Sequence, residues 1–226
     1  MKDIDKTDGK TLLARMRDAE EDLAAAFWKE PESFFTEHDL VARFYHLASR
    51  RLGGCSRLLH CEYPTPFKCS MAGSTFSHED DGSRFHRGHY DLVVLDPDFA
   101  CEHESDLDLL TGQDWKATRE FLQTGRFRQV AVMLYEFMLV HRKVNGDGTV
   151  GDIAEHVGQD WKKLLAALRP MGTPSVPFAA AVRMLVFDGA MEQNWSERLK
   201  AAIDAGVGPI RPNAEMRFVP RARQER

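Results

Sequence analysis

Between Val130 and Val140 the chain reads VAVMLYEFMLV, an apolar run broken by a single charged side chain, Glu136. A run of this kind, rich in branched and aromatic residues and extended to His141 before the turn sequence N-G-D-G, reads as a strand buried on both faces. Side chains alternate along a strand, so Leu134 and Met138 share the face of Glu136 while Tyr135 and Phe137 take the other. The strand therefore has no polar face to which Glu136 could belong. An ionised carboxylate in that setting costs several kcal/mol unless a cation, a metal or a raised pKa relieves it. The chain must build a sheet covered on both sides and supply Glu136 with a partner.

The remaining elements follow from the same reading. Residues 11–27, TLLARMRDAEEDLAAAF, space Leu12, Leu13, Met16, Leu23 and Phe27 as one face of a helix. A second helix opens at Thr36 with a capping box to Asp39 and is stopped after Arg51 by Gly53 and Gly54. Strands follow at Leu58–Tyr63, ended by P-T-P, and at His89–Leu95, ended by D-P-D; the third is the Val130–His141 run. A helix at Val150–Leu168, a strand at Phe178–Phe187, a helix near Glu192–Ala205 and a last strand at Glu215–Val219 complete the order. Ser70–Gly88 and Asp98–Gln129 read as polar excursions from one domain spanning residues 1–226, and the Arg-rich end as a frayed tail.

Composition narrows the functional classes. With 35 acidic and 30 basic side chains in 226 residues, the net charge of −5 excludes a histone-like basic binder. It is compatible with a nuclease, whose metal-binding acids offset basic groups that hold phosphate. No apolar stretch reaches the roughly 20 residues of a membrane helix, since Arg183 interrupts even FAAAVRMLVF. The polar start, MKDIDKTDGK, lacks the apolar core of a secretory signal, so a cytoplasmic protein is expected, with Cys55, Cys61, Cys69 and Cys101 as thiols. Cys61 and Cys69 read as core residues.

A second carboxylate, Asp91, sits in the apolar run HYDLVVL. Two acids on neighbouring strands can share one divalent cation, and all-oxygen ligation suits Mg²⁺ or Mn²⁺. The plainer alternative is that both are solvated or paired with Arg84, Arg87 or Arg142.

The order helix, three strands, helix, strand, with an acid in the second strand and E-x-x in the third, resembles the PD-(D/E)xK nuclease superfamily over roughly residues 36–187. The resemblance implies an α/β fold with a restriction-endonuclease-like αβββαβ core, a mixed central sheet flanked by helices, and here an added N-terminal helix and C-terminal αβ extension (residues 188–219). It implies that Asp91, Glu136 and the carbonyl of Phe137 bind the metal, with Glu62 and Glu37 as candidates for the further acid many members carry. It also implies DNA, or RNA, as the substrate, with Arg84, Arg87, Arg142 and Lys143 on phosphate. Where the superfamily has its lysine, this sequence has Met138, which can neither hold charge nor donate. Arg142 lies on the same face but about 13 Å farther along. Lys162 and Lys163 of the next helix remain as relocated substitutes. Asp96 of D-P-D points to the opposite face from Asp91 and marks a strand end.

Two other readings compete. A module of the same fold that binds nucleic acid or protein without catalysis accounts for Met138. A metallohydrolase built on His86 and His89, with His78, Glu79, Asp80 and Asp81 just upstream, accounts for H-R-G-H-Y-D. Motifs for serine hydrolases, P-loops and dinucleotide sites are absent from the sequence. A homodimer or partner subunits of a defence or repair system would suit the superfamily resemblance.

Overall fold

The computed structural model describes residues 8–70, 76–77, 85–102, 120–121, 129–140, 150–171, 176–189, 195–207 and 212–220. Helix α1 (Gly9–Lys29) starts where the Asp8 carboxylate accepts the Thr11 N–H at 2.7 Å, and it buries Leu12, Met16, Leu23 and Phe27. Helix α2 (Glu37–Leu52) opens on the expected capping box. Thr36 Oγ1 accepts the Asp39 N–H, and Asp39 Oδ2 accepts the N–H groups of both Thr36 and Phe35 at 2.8 Å. These bonds fix Glu37 as the first helical residue. The helix ends at Gly53, whose φ of 56° is a backbone conformation that side-chain-bearing residues rarely adopt.

Six strands form one mixed sheet in the order β2-β1-β3-β4-β7-β8. They are β1 (Leu59–Ser70), β2 (Phe76–Ser77), β3 (Phe85–Leu95), β4 (Ala131–Val140), β7 (Ala179–Asp188) and β8 (Ala214–Pro220). The first four pair antiparallel, whereas β4–β7 and β7–β8 are parallel, as a connection through a helix allows. Helix α4 (Val150–Ala167) joins β4 to β7, and α5 (Trp195–Val207) precedes β8. Helix α3 (Pro97–Glu102) follows β3, and β5 (Pro170–Met171) pairs with β6 (Val176–Pro177) as a separate ribbon. No helix among the described residues is long and apolar enough to cross a membrane.

Two boundaries differ from the sequence reading. The first strand does not stop at P-T-P, and Ser70–Gly88 is not simply a loop, because β1 runs to Ser70 and pairs there with Phe85. The register shifts between Pro64 and Lys68, and this bulge accommodates residues that cannot donate to the ladder. Asp96 caps α3 through Oδ1, accepting the N–H groups of Asp98 and Phe99, as suits a strand end. The acidic cluster at 79–81, residues 103–119 and the tail at 221–226 lie outside the described residues.

Strand β4 is buried on both faces. On one, Tyr135 and Phe137 meet Phe44 of α2 at 4.9 and 5.1 Å, and Phe27 of α1 meets Phe187 of β7 at 5.1 Å. On the other, Val157, Trp161 and Leu164 of α4 are buried. The α1 face also carries a charge network. The Tyr135 hydroxyl donates to Glu20 Oε1 at 2.9 Å, Arg183 lies 3.6 Å from the same oxygen, and Arg183 also pairs with Glu215. Burial raises the Glu20 pKa, against the pull of Arg183 and the Tyr135 hydroxyl.

Removing Glu20 would leave buried Arg183 without its buried partner, whereas removing the Tyr135 hydroxyl loses one hydrogen bond. Glu20→Ala is expected to cost about 3 kcal/mol and Tyr135→Phe about 1 kcal/mol, read from urea denaturation midpoints. Equal losses would count against a charge network in which Glu20 is the shared partner.

Candidate active site

The recorded ladder between β3 and β4 ends at Leu92↔Tyr135, one step short of Asp91 and Glu136. Beyond it the Asp91 side chain does what a strand backbone would have done: Asp91 Oδ2 accepts the Phe137 N–H at 2.7 Å. Two residues on, the Glu37 carboxylate from the first turn of α2 lies near enough to the Leu139 N–H to feel its pull. Alternate residues of a strand present their backbone groups to the same edge, so both acids lie along the edge of β4 that β3 has left. The Phe137 carbonyl leaves that edge as well.

Glu136 points to the α4 face, where only 3% of its side chain is exposed. There Lys163 Nζ lies 2.7 Å from Glu136 Oε1, 3.3 Å from Asp160 Oδ1 and 2.9 Å from the His89 carbonyl. The ammonium thus meets carboxylates of β4 and α4 as ion-pair partners and donates a hydrogen bond to a carbonyl of β3. Lys163 is largely buried, while its neighbour Lys162 is exposed. Met138 is packed in the core. The cation that the third strand lacks is supplied by the next helix.

Glu62 adds backbone strain. It sits between the pairs Cys61↔Leu92 and Tyr63↔Tyr90, opposite Asp91, with φ at 52°, a left-handed conformation in a strand. Its side chain is exposed and its charge acts on Asp91.

The electrostatics follow from this crowding. Loss of water pushes Asp91 up to about 6, with Asp160 and Glu62 adding to it and the Phe137 N–H and Lys163 opposing it. Loss of water and the Asp91 charge push Glu37 up to about 7. Burial raises Glu136 well above its ordinary value, against the pull of Lys163. Burial would lower Lys163, but Glu136 and Asp160 outweigh it and hold the ammonium above its usual range. Asp91, Glu136 and Asp160 therefore share Lys163, while Glu62 acts on Asp91 and Glu37 is acted on by Asp91 and Asp160.

The remaining sequence candidates divide. Arg84, Arg142 and Lys143 lie outside the described residues, and His86 and Arg87 are placed in β3 by their backbone. His89 is exposed and contributes its carbonyl to Lys163. Among the described residues no three His, Cys, Asp or Glu side chains form a group able to hold a metal ion by themselves. Cys55, Cys61 and Cys101 are free thiols, and Cys61 is exposed, contrary to its reading as core, because β1 lies near the sheet edge. Asp160 was missed in the sequence. Its signal was the D-x-x-K spacing, which places Asp160 and Lys163 on one helix face.

Comparison with protein-family models, curated proteins and solved structures returns no match.

Between the ordinary value of 3.8 and about 6 for Asp91, and between 4.5 and about 7 for Glu37, the folded protein holds protons that the unfolded chain has released. Stability should therefore fall as pH rises through that window in metal-free buffer, and Asp91→Asn should flatten the fall. Urea midpoints across the window test this; an unchanged slope in the variant would contradict it. Lys163→Met should cost about 3 kcal/mol at pH 8 and less at pH 5, because protonation of Glu136 relieves the unpaired charge.

Proposed function

We propose that the chain is a metal-dependent nuclease of the PD-(D/E)xK type that cleaves phosphodiester bonds in DNA. The observation that carries this reading is Lys163, which reaches Glu136 at 2.7 Å from α4 while Asp91 binds the Phe137 N–H across the parted strands. Further support comes from the element order α2-β1-β3-β4-α4-β7, with three antiparallel strands followed by a parallel one.

Mg²⁺ or Mn²⁺ fits the donor set. The acids exceed the lysine among the described groups, the ligands are hard oxygens, and a backbone carbonyl adjoins them. Asp91, Glu136 and the Phe137 carbonyl would hold the ion. When bound, it supplies Lewis-acid neutralisation of phosphate charge and acidifies the attacking water. Lys163 orients Glu136 and places an ammonium where negative charge grows on the phosphate. Glu37, pushed up to about 7, is suited to accept a proton from water near neutral pH. The Glu62 bend keeps a further carboxylate at the rim.

One observation favours a second reading, a binding module without catalysis. The Lys163 ammonium already sits 2.7 Å from Glu136 Oε1, where it pairs the charge of that carboxylate without a metal. The two readings differ in cleavage. Under the nuclease reading, wild type nicks plasmid DNA with Mg²⁺ or Mn²⁺, Asp91→Asn and Glu136→Gln lose at least a hundredfold, and calorimetry shows Mn²⁺ binding that disappears with Asp91. Lys163→Ala should lower the cleavage rate by a similar factor while Lys162→Ala does not. Absence of both metal binding and cleavage in wild type would leave the binding module as the account.

A further inference from the structure

The acids of α2 are confined to its first turn, Glu37 and Asp39. From Leu40 to Cys61 the sequence then holds four arginines and two histidines and no Asp or Glu, in a chain whose net charge is −5. The helix sorts these groups by face. Leu40, Val41, Phe44, Ala48 and Leu52 are buried. Arg43, His46 and Arg50, spaced by three and four residues, form one exposed stripe on the opposite side. Arg57, beyond the turn at Gly53, is exposed as well.

Arg51 is not part of this stripe. Its Nε and Nη2 bind the two carboxylate oxygens of Asp22 on α1, each at 2.8 Å, so its charge is locally neutralised. Arg217 is likewise tied to Glu21 and Arg183 to Glu20 and Glu215. No ion pair is recorded for Arg43, Arg50 or Arg57 among the described residues. The basic stripe is thus not neutralised by any acid among the described residues.

The stripe also has a direction. It begins about 9 Å along the helix axis from Glu37 and reaches Arg50 about 20 Å from it, at 1.5 Å per residue. A strand running from Glu37 to Arg50 would span about six nucleotides at 3.4 Å each. The cluster of acids repels phosphate on its own, so a polyanionic substrate needs cations set back from the acids to hold it.

We infer that the outer face of α2, through Arg43, His46 and Arg50 and continuing to Arg57, binds the phosphate backbone of duplex DNA and guides it toward the acids at Glu37. This rests on the nuclease reading for its direction, but the contact itself is independent of catalysis. It is sequence-neutral, because arginines on an exposed helix face that meet phosphate carry no base information.

The test is fluorescence anisotropy in EDTA with a labelled duplex of about 20 base pairs, over a salt series. Wild type is compared with Arg43→Ala/Arg50→Ala and with Arg198→Ala, an exposed arginine on α5. Hydrolysis of bis(p-nitrophenyl) phosphate with Mn²⁺ is measured on the same samples, since a small diester reaches the acids without spanning the distance to Arg43 and Arg50. The double variant should bind DNA at least tenfold more weakly, with a salt slope smaller by about two, and hydrolyse the small diester like wild type. Arg198→Ala should match wild type in all three measurements. Unchanged affinity and slope in the double variant would overturn the α2 surface while leaving the nuclease reading standing if the diester is hydrolysed. DNA binding that depends on Arg43 and Arg50, in a protein that does not hydrolyse the diester, would sustain the surface and count against the nuclease. No DNA binding by wild type would overturn the surface.

Discussion

The buried pair between Glu136 and Lys163 is the constraint around which the structure is arranged. A carboxylate in the middle of a doubly covered strand must meet a cation, and β4 carries none within reach on its own face. The pair fixes α4 over that face, and fixes its rotation, because Lys163 must point inward while Lys162 points out. Through the His89 carbonyl it also anchors β3 where that strand leaves the ladder. One ammonium therefore sets the relation of three elements, and the acids from β3 and α2 collect around the gap it holds.

The sheet carries buried charge on both faces, and the two sites differ in balance. On the α1 side, Glu20, Glu21 and Glu215 meet Arg183 and Arg217, and the Tyr135 hydroxyl completes the bonding of Glu20. Nearly every charge there has an opposite, which is the pattern of a structural network. On the α4 side, Asp91, Glu136 and Asp160 share Lys163, with Glu37 and Glu62 coupled to Asp91, and Asp91 and Glu37 are pushed up to about 6 and about 7. A surplus of one sign destabilises a fold, because each added carboxylate raises the cost of ionising its neighbours. The strained backbone at Glu62 adds to the same side.

Much of the scaffold can be read in the sequence because it rests on local rules. The Thr36–Asp39 capping box, the glycine stop and the strands around Asp91 and Glu136 each follow from side chains a few residues apart. Errors came where a neighbouring strand overrules a local signal. P-T-P reads as a terminator, yet pairing with β3 carries β1 through it by a bulge. Cys61 reads as core from its apolar neighbours, but its exposure depends on how far the sheet extends beyond β1. Arg183, by contrast, lies within the strand expected at Phe178–Phe187, and Glu20 and Glu215 allow it to be buried there.

By itself, the sequence determined that Glu136 would lie in a buried strand and need a partner, because alternation leaves that strand no polar face and desolvation of a lone carboxylate is costly. It also marked Asp91 as a second carboxylate in an apolar strand and left both Lys162 and Lys163 as cations of the next helix that could reach in. Tertiary structure alone decided between those lysines, since adjacent helical residues point about 100° apart and the packing of Trp161 and Leu164 against the sheet sets which one turns inward. It likewise brought Glu37 to the edge of β4 and put Asp160 beside Lys163, contacts whose partners are fixed by strand order and helix packing rather than by spacing along the chain.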